Sequence, residues 1–455
     1  MVDNSNYSMG ENHISTEKII QYNRSLEEVS GHVSPEKHSF LGSYALKPLL
    51  MWISATFLYC YQFFLRSSPN VMEDVLRQEF LMDAESFGLL ASFYYIAYSI
   101  LQIPMGVLID KIGLRRILTF SAAMCSFGAF IFGLSDGLMM AKIGRFCMGM
   151  GSAGVFLSCL KLITLWFPRR RFGIFLGLTM MMGTFGAISA GAPLALLVQG
   201  MGWRLSLLSF SVLGMIWALL LWLVVRDRKA PLGLKSEEVP IPLFVGLKRV
   251  ITNPQIWLAA LYGTTMYAVL SAFADLWGTP YLMHAYDLDK PSAAAASTSV
   301  YVGLALGGPF FGYLSERFKS RKMPMLMSAC GGLLFFSLFL YVSDLSITFV
   351  YICLFAVGFF VGGKLMNFAV ATDSVPYSLS GTATGFVNGC CMTSGIIFQP
   401  LIGKLMCYNW DGKMVNGVAR YATSDYCFAL SAIPVCMILA GVITLMTKES
   451  YPKST

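Results

Sequence analysis

Residues 106–118 read Gly106-Val-Leu-Ile-Asp110-Lys111-Ile-Gly113-Leu-Arg115-Arg116-Ile-Leu118. A glycine closes an apolar run, an acid and a base follow, a second glycine intervenes, and two arginines lead into the next apolar run. A second stretch repeats the plan: Gly312-Tyr-Leu-Ser-Glu316-Arg317-Phe-Lys319-Ser-Arg321, beginning 206 positions after Gly106. Glu316 and Arg317 stand where Asp110 and Lys111 stand, and Arg321 stands where Arg115 does. A chain that repeats itself at this distance consists of two related halves.

The runs flanking these loops set the class. The 455 residues are 56% hydrophobic and only 13% charged, with a mean hydropathy of +0.63. Soluble domains carry about 25% charged residues. This chain lacks the charge to cover a water-facing surface, which excludes a soluble enzyme, a nucleic-acid binder and a disordered chain. Twelve apolar runs stand near 46–66, 85–108, 117–135, 141–166, 174–199, 205–225, 255–282, 294–314, 324–343, 346–370, 382–406 and 426–447. Each is long enough to cross ~30 Å of hydrocarbon as a helix. Strand-like alternation is absent, so the spans are helices.

Basic residues orient the bundle. One set of loops holds Lys111, Arg115, Arg116, Arg169-Arg170-Arg171, Arg226, Arg228, Lys229, Lys235, Lys248, Arg249, Arg317, Lys319, Arg321 and Lys322. The opposite loops hold chiefly Arg77, Lys142, Arg204, Lys290, Lys413 and Arg420. The rich side is expected in the cytoplasm, with both termini. The net charge of +8 belongs to those loops rather than to nucleic-acid binding. The expected organisation is a cytoplasmic tail over 1–45, a six-helix bundle over 46–226, a cytoplasmic linker over 227–254, a second bundle over 255–447 and a tail over 448–455. The first tail has no apolar core of a signal peptide. Its acceptor-like triplets at Asn6 and Asn23 read as chance matches on the cytoplasmic side.

At the repeated loop the chain resembles the major facilitator superfamily. Gly106 to Leu118 matches that family's signature (G-x-L-x-D-[RK]-x-G-[RK]-[RK]-x-x-L) except at Leu114, where a base is usual. Arg145-x-x-x-Gly149-x-Gly151 resembles its fourth-span motif. The resemblance covers spans one to twelve. It implies an all-α integral membrane protein, with twelve transmembrane helices in two pseudo-symmetric six-helix bundles around one cavity, working by alternating access. In that setting Gly106, Asp110, Arg115, Arg116, Glu316, Arg317 and Arg321 are the expected conformational latch. The glycine admits a neighbouring helix, and the acids pair with bases or with helix N-termini. Plain topology, in which basic loops hold helices inside, is the competing reading.

Ionisable groups within spans are costly and mark function by default. Arg66 closes the first span, with Tyr59 and Gln62 on its face; snorkelling to the interface is the alternative. The second span carries Tyr94, Tyr95, Tyr98 and Gln102. Asp275 is the carboxylate placed well inside a span, at almost the depth of Arg66 in the related half. It is the expected proton-coupling site and outer-gate partner of Arg66; a structural ion pair is the alternative. Lys161 and Lys364 sit 203 residues apart in spans four and ten, with Asn367 on the face of Lys364. Together they would make a positive cavity; snorkelling is again the alternative. Arg145 lies ~160° around a straight helix from Lys161, so both face the cavity only if the Gly149-Gly151-Gly154 run distorts the span. The expected substrate-binding set is Arg66, Tyr59, Gln62, Tyr98, Arg145, Lys161, Lys364 and Asn367. Tyr267, Trp277, Tyr301, Asn388 and Gln399 read as core packing ahead of cavity lining.

These residues point to a secondary active transporter of a small anionic solute (organic acid, sugar acid or amino acid). The expected partners are that solute, a coupling proton and the bilayer, with no nucleic acid, in a monomer of a bacterial inner membrane. The alternative is an exporter of drug-like or siderophore-like molecules. The fifth span has Gly183-x-x-Gly186 and Gly191-x-Pro193 in place of the Gly-Pro-x-x-Gly-Gly pattern of drug antiporters in the superfamily. A non-transporting sensor is a third class. No P-loop and no acid–base cluster argues for a pump or an enzyme, and no cofactor is expected. The eleven cysteines show no metal spacing, and His284 is the one histidine outside the first tail, so no metal site is expected. Cys407 and Cys427 flank one outside loop and are the candidates for a disulfide.

Overall fold

The computed structural model describes residues 43–168, 171–227, 243–342, 344–376, 379–415 and 417–451. The chain divides into two compact units, Met1–Lys47 and Pro48–Thr455. The second carries the helical bundle. The acceptor triplets, Arg169 and Arg170, and most of the expected linker fall outside the described residues.

Leucine, phenylalanine and alanine runs form helical rods in chain order. Spans 1 to 3 are Ser43–Ser67, Ala84–Ile112 and Leu114–Gly133. Span 4 is Leu138–Ser152 with Val155–Trp166, span 5 is Phe172–Ser189 with Ala192–Met201, and span 6 is Trp203–Val224. Span 7 runs from Pro254–Ala268 through Val269–Trp277 to Gly278–Tyr286. Spans 8 and 9 are Lys290–Phe318 and Lys322–Tyr341. Span 10 joins Ile347–Val361, Gly362–Leu365 and Met366–Asp373; span 11 is Ser380–Asn409; span 12 is Thr423–Leu430 with Ala432–Met446. Among the described residues eleven helical stretches are long and apolar enough to cross a membrane. Span 2, of 29 residues, holds the place of the remaining expected span. Leu205, Val212, Ile216, Leu219 and Leu223 of span 6 stand exposed, an apolar face that only lipid tolerates.

Local chemistry ends the rods where the sequence turns polar. Gly113 adopts φ +96° between spans 2 and 3, a conformation glycine enters without a Cβ penalty. Asp83 caps span 2 by accepting from Ser86 N, and Asn253 caps span 7 ahead of Pro254. Among the described residues five spans are interrupted midway: spans 5 and 12 break at Ala190–Gly191 and Ser431, and spans 4, 7 and 10 change character near the charged residues. Span 4 breaks between Ser152 and Val155, span 7 carries a π-helical stretch over Val269–Trp277, and span 10 tightens to a 3-10 turn over Gly362–Leu365. Such departures from α geometry accompany functional sites in helices.

The end at which span 1 begins and span 12 finishes is here termed basal, and the other apical. Span 2 packs along span 11, where a Cβ on Gly88 would lie 2.3 Å from Gln399 O; only glycine permits that approach. Span 5 meets span 8 where Gly191 faces Ala294 and Thr298. At the basal ends of spans 2, 5, 8 and 11 the spacing differs. A Cβ on Gly106, Gly173, Gly312 or Gly381 would meet nothing within 4 Å. The halves close on each other apically, while these basal glycines face open space.

Cys407 and Cys427 are free thiols, one beside the Tyr421 hydroxyl and the other beside that of Tyr281. The expected disulfide is therefore corrected: span 11 and span 12 hold each sulfur against a different tyrosine.

Candidate functional site

The last turn of span 1 delivers Arg66 and Ser67 to the boundary between the halves, and the π-helical stretch of span 7 delivers Asp275. The carboxylate is fully buried. Arg66 Nε lies 3.0 Å from Oδ2, with its N–H turned aside, so the contact is an ion pair without a hydrogen bond at Nε. The hydroxyls of Ser67, Tyr95 and Tyr301 donate to the same carboxylate. Arg66 Nη2 donates to the Tyr301 oxygen at 3.4 Å. Tyr301, read from sequence as packing, is thus part of the charged cluster.

On the apical side the seal continues. Asn70 Nδ2 donates to Ala274 O at 2.9 Å, and its Oδ1 accepts from Thr279 N at 3.0 Å. Lys290 Nζ reaches Asp74 at 2.7 Å. Arg77 donates to Ala419 O at 2.7 Å, on the hairpin of β1 (Met414–Val415) and β2 (Val418–Ala419) between spans 11 and 12.

On the basal side the Arg66 guanidinium lies 3.9 Å from the Phe63 ring centroid and 5.9 Å from that of Tyr267. Lys364 Nζ lies 3.9 Å from the same Tyr267 ring. Two cations from opposite halves therefore address one aromatic ring. Lys364 is only 7% exposed, and no ion pair to it is formed among the described residues. Asn367, one turn on, donates to Cys391 Sγ at 3.2 Å. Tyr59 stacks near Phe63 and Phe156, with its hydroxyl on Met180 Sδ at 3.7 Å. Tyr98 faces Asn388 of span 11.

Three expected binding residues lie elsewhere. Arg145 is fully buried and donates to Leu65 O at 2.7 Å, Arg66 O at 3.2 Å and Ala91 O at 3.3 Å. The last carbonyls of a helix have no intrahelical partner, and Arg145 satisfies those of span 1. The correction is to a residue that positions Arg66 through its backbone. Gln62 is buried and accepts from the Tyr94 hydroxyl at 3.3 Å, joining spans 1 and 2. Lys161 is half-buried in the basal piece of span 4, and the contacts described for Arg66 and Lys364 do not involve it. Span 4 does break at Ala153–Gly154, within the glycine run, but Arg145 is spent on backbone carbonyls rather than sharing a cavity with Lys161.

The repeated loops each bond within their own half. In the first, Arg115 Nε donates to Trp222 O at 2.7 Å, its guanidinium stacks 3.9 Å over the Trp222 ring, and its backbone N–H meets Asp227 Oδ1 at 3.2 Å. Arg116 is exposed, and the side chain of Asp110 lies outside the described residues. In the second, Arg321 pairs with Glu316 and Asp373, both at 3.1 Å, while Arg317 is exposed. Glu449 receives the Ser320 hydroxyl and the N–H groups of Arg321 and Lys322. Burial works against the Glu449 carboxylate, but these hydrogen bonds outweigh it and hold the group below its ordinary value. Asp227 and Glu449 each lie three residues beyond the last helix of a half. That shared position was the signal in the sequence, and it was missed. Among the described residues no group of His, Cys, Asp and Glu is placed to hold a metal.

Comparison with known proteins matches this architecture. The family model described as Major Facilitator Superfamily matches residues 53–400. The membrane sensor protein UhpC of Escherichia coli is 25% identical over 81% of this chain and 87% of its own length. The hexuronate transporter of Bacillus subtilis is 23% identical over 75% and 84%, and the probable galactarate/D-glucarate transporter GarP of Escherichia coli is 22% identical over 81% and 91%. Among solved structures, a bacterial homolog of the human lysosomal transporter Spinster, inward-facing and unoccupied, superposes with TM-score 0.69 at 17% identity, covering 90% of this chain and 96% of that one. A variant of the nucleoside transporter NupG does so with TM-score 0.69 at 13% identity, covering 87% and 99%. These two likenesses show the fold. With three quarters of its length matched, a polytopic helical bundle and the repeated loop in place, the chain belongs to the major facilitator superfamily.

Proposed function

We propose that this membrane transporter moves a small organic anion, of the sugar-acid kind, by proton-coupled alternating access. One observation carries the reading. Arg66 and Lys364 are buried in opposite halves beside one tyrosine ring; Arg66 is paired with Asp275, whereas Lys364 has no ion pair among the described residues. Buried charge left uncompensated is costly, so the interior favours a solute that brings negative charge. The names of the hexuronate and galactarate/D-glucarate relatives support an anion of this class.

In the proposed cycle the solute enters from the basal end between the halves over 46–226 and 255–447. Its carboxylate binds at Lys364, with Tyr59, Tyr98 and Asn367 around it and Lys161 near the approach. Arg66 is engaged by Asp275 while the apical end is shut. A proton on Asp275 removes the charge that holds Arg66, which frees the arginine for the solute and loosens the seal. The basic basal loops support a cytoplasmic side for that end and both termini, and the reading takes the membrane as a bacterial inner membrane. The protein acts as a monomer.

The test is uptake of radiolabelled galactarate, glucarate and glucuronate into proteoliposomes under an imposed pH gradient. Gradient-driven accumulation is expected. In Asp275→Asn, exchange of solute persists while accumulation is lost. Accumulation by that variant equal to the parent's removes Asp275 from the coupling role. A second reading follows from the UhpC likeness: a sensor built on the transporter fold. Solute binding with no flux in any gradient selects it.

A further inference from the structure

Several polar groups on the basal side of the charged cluster make no bond. Gln102 is 1% exposed, and neither its amide oxygen nor its nitrogen has a partner. Asn388 leaves its amide nitrogen unmet, and the fully buried Asn367 leaves its oxygen unmet. The three come from spans 2, 11 and 10 and converge. A Cβ on Gly389 would lie 3.6 Å from Gln102 Cβ, so Gln102 abuts span 11 beside Asn388. Asn388 faces the hydroxyl of Tyr98, one turn before Gln102. Asn367 sits one turn after Lys364 and bonds Cys391, one turn after Asn388 on span 11.

An amide buried without partners is unfavourable, and apolar side chains of the same shape avoid the cost. Here Gln102 has both amide ends unmet and Asn388 and Asn367 one each, along the face of span 11 that reaches Asn367, one turn from the buried Lys364 ammonium. An amide presents both a donor and an acceptor. The group that satisfies both ends, and turns to suit either, is a hydroxyl. A carboxylate only accepts, so it belongs at Lys364.

We propose that Gln102, Asn388 and Asn367 read hydroxyl groups along the carbon chain of a polyhydroxylated carboxylate anchored at Lys364, and so select sugar acids over plain alkanoates. This rests on the anion reading above and adds the residues that set its specificity. A site built to bond hydroxyls rejects the analogue lacking them, because its own polar groups are then left unpaired.

The experiment is calorimetric titration of the purified full chain with gluconate, glucuronate and galactarate, with hexanoate and adipate as hydroxyl-free analogues, and with sorbitol as an uncharged polyol. At least one polyhydroxy acid is expected to bind about tenfold or more tightly than its hydroxyl-free analogue. Gln102→Met and Asn388→Leu should each lose about tenfold for that acid and leave hexanoate unchanged. Their melting temperatures should hold or rise, since each removes an unmet buried amide. Lys364→Ala should lose both kinds of acid. Hexanoate binding as tightly as gluconate, unchanged gluconate affinity in both amide variants, or binding of none of the polyhydroxy acids each overturns the hydroxyl reading. Retained acid binding in Lys364→Ala instead overturns the anion reading, so the two failures are separable.

Discussion

The apical end ties the two halves to each other, whereas the described ion pairs of the basal loops tie each half to itself. Apically, Arg66–Asp275, Asp74–Lys290 and the Asn70 bridge all cross from one half to the other. Basally, Arg115 bonds Trp222 and Asp227 in the first half, while Arg321 bonds Glu316 and Asp373 in the second. Under the proposed alternating access, the apical contacts break when the halves rock, whereas the basal ones, each within one half, persist through the cycle. The buried contacts at the apical end leave unpaired charge when broken, while the basal caps face water.

The comparison breaks most readily at Asp275. Asp275→Asn leaves Arg66 buried without its counter-charge, a loss of about 3–5 kcal/mol. A lowered melting temperature is expected, with apical spin-label distances in span 1 and span 7 lengthened. Unchanged values on both counts mean that this pair does not hold the halves. Next come the basal turns, where the two loops carry opposite residues at one repeat position. Gly113 has φ +96° and Lys319, 206 positions on, has φ +49°. Gly113→Ala forces a Cβ into 2.8 Å of the Asp227 carboxylate, and the backbone strain alone costs about 1–3 kcal/mol. Lys319→Gly relieves a left-handed residue and should stabilise by up to about 1 kcal/mol. Thermal shifts of the same sign in both variants would refute the repeat at this turn.

A smaller effect is expected at the tail cap. Glu449→Gln weakens the hydrogen bonds to Ser320, Arg321 and Lys322 and should cost about 1 kcal/mol. Its pH dependence has a fixed sign. The folded carboxyl titrates below the ordinary value of 4.5, so the cap is complete above that pH and fades as pH falls beneath it. Melting curves of parent and variant should converge on acidification; a gap that widens instead contradicts the cap. The smallest change belongs to Asp74→Asn. The Asp74 side chain is 45% exposed, so its pair with Lys290 is worth about 0.2–1 kcal/mol, less at high salt. A salt-independent loss larger than that of Asp275→Asn would invert the order of the apical contacts.

Much of this architecture is legible in the sequence. The repeat at Gly106 and Gly312, the twelve spans and the matching depths of Arg66 and Asp275 follow from spacing and hydropathy, and the ion pair between these last two stands in the structure. Other features are not legible there. Arg145 reads as a cavity residue because its motif is functional elsewhere, but three carbonyls at the end of span 1 and in span 2 consume its donors. Asp227 and Glu449 share a position three residues past the last helix of each half, but what each acid holds shows only where it meets the N–H groups of another helix. Gln102 and Asn388 look like ordinary span polars in the sequence; the packed helices leave both amide ends of Gln102 and the amide nitrogen of Asn388 unmet.

The division has a physical cause. Hydropathy, charge placement and glycine spacing act along the chain, so the sequence alone determined a twelve-helix membrane protein with two related halves and positive charge in its interior. Which hydroxyls join the Arg66–Asp275 pair, which arginine is spent on backbone carbonyls, and which amides stay unmet depend on helices far apart in sequence. Those outcomes turn on distances of about 3 to 4 Å between rods whose rotation and offset are set by packing, and only the tertiary structure decided them.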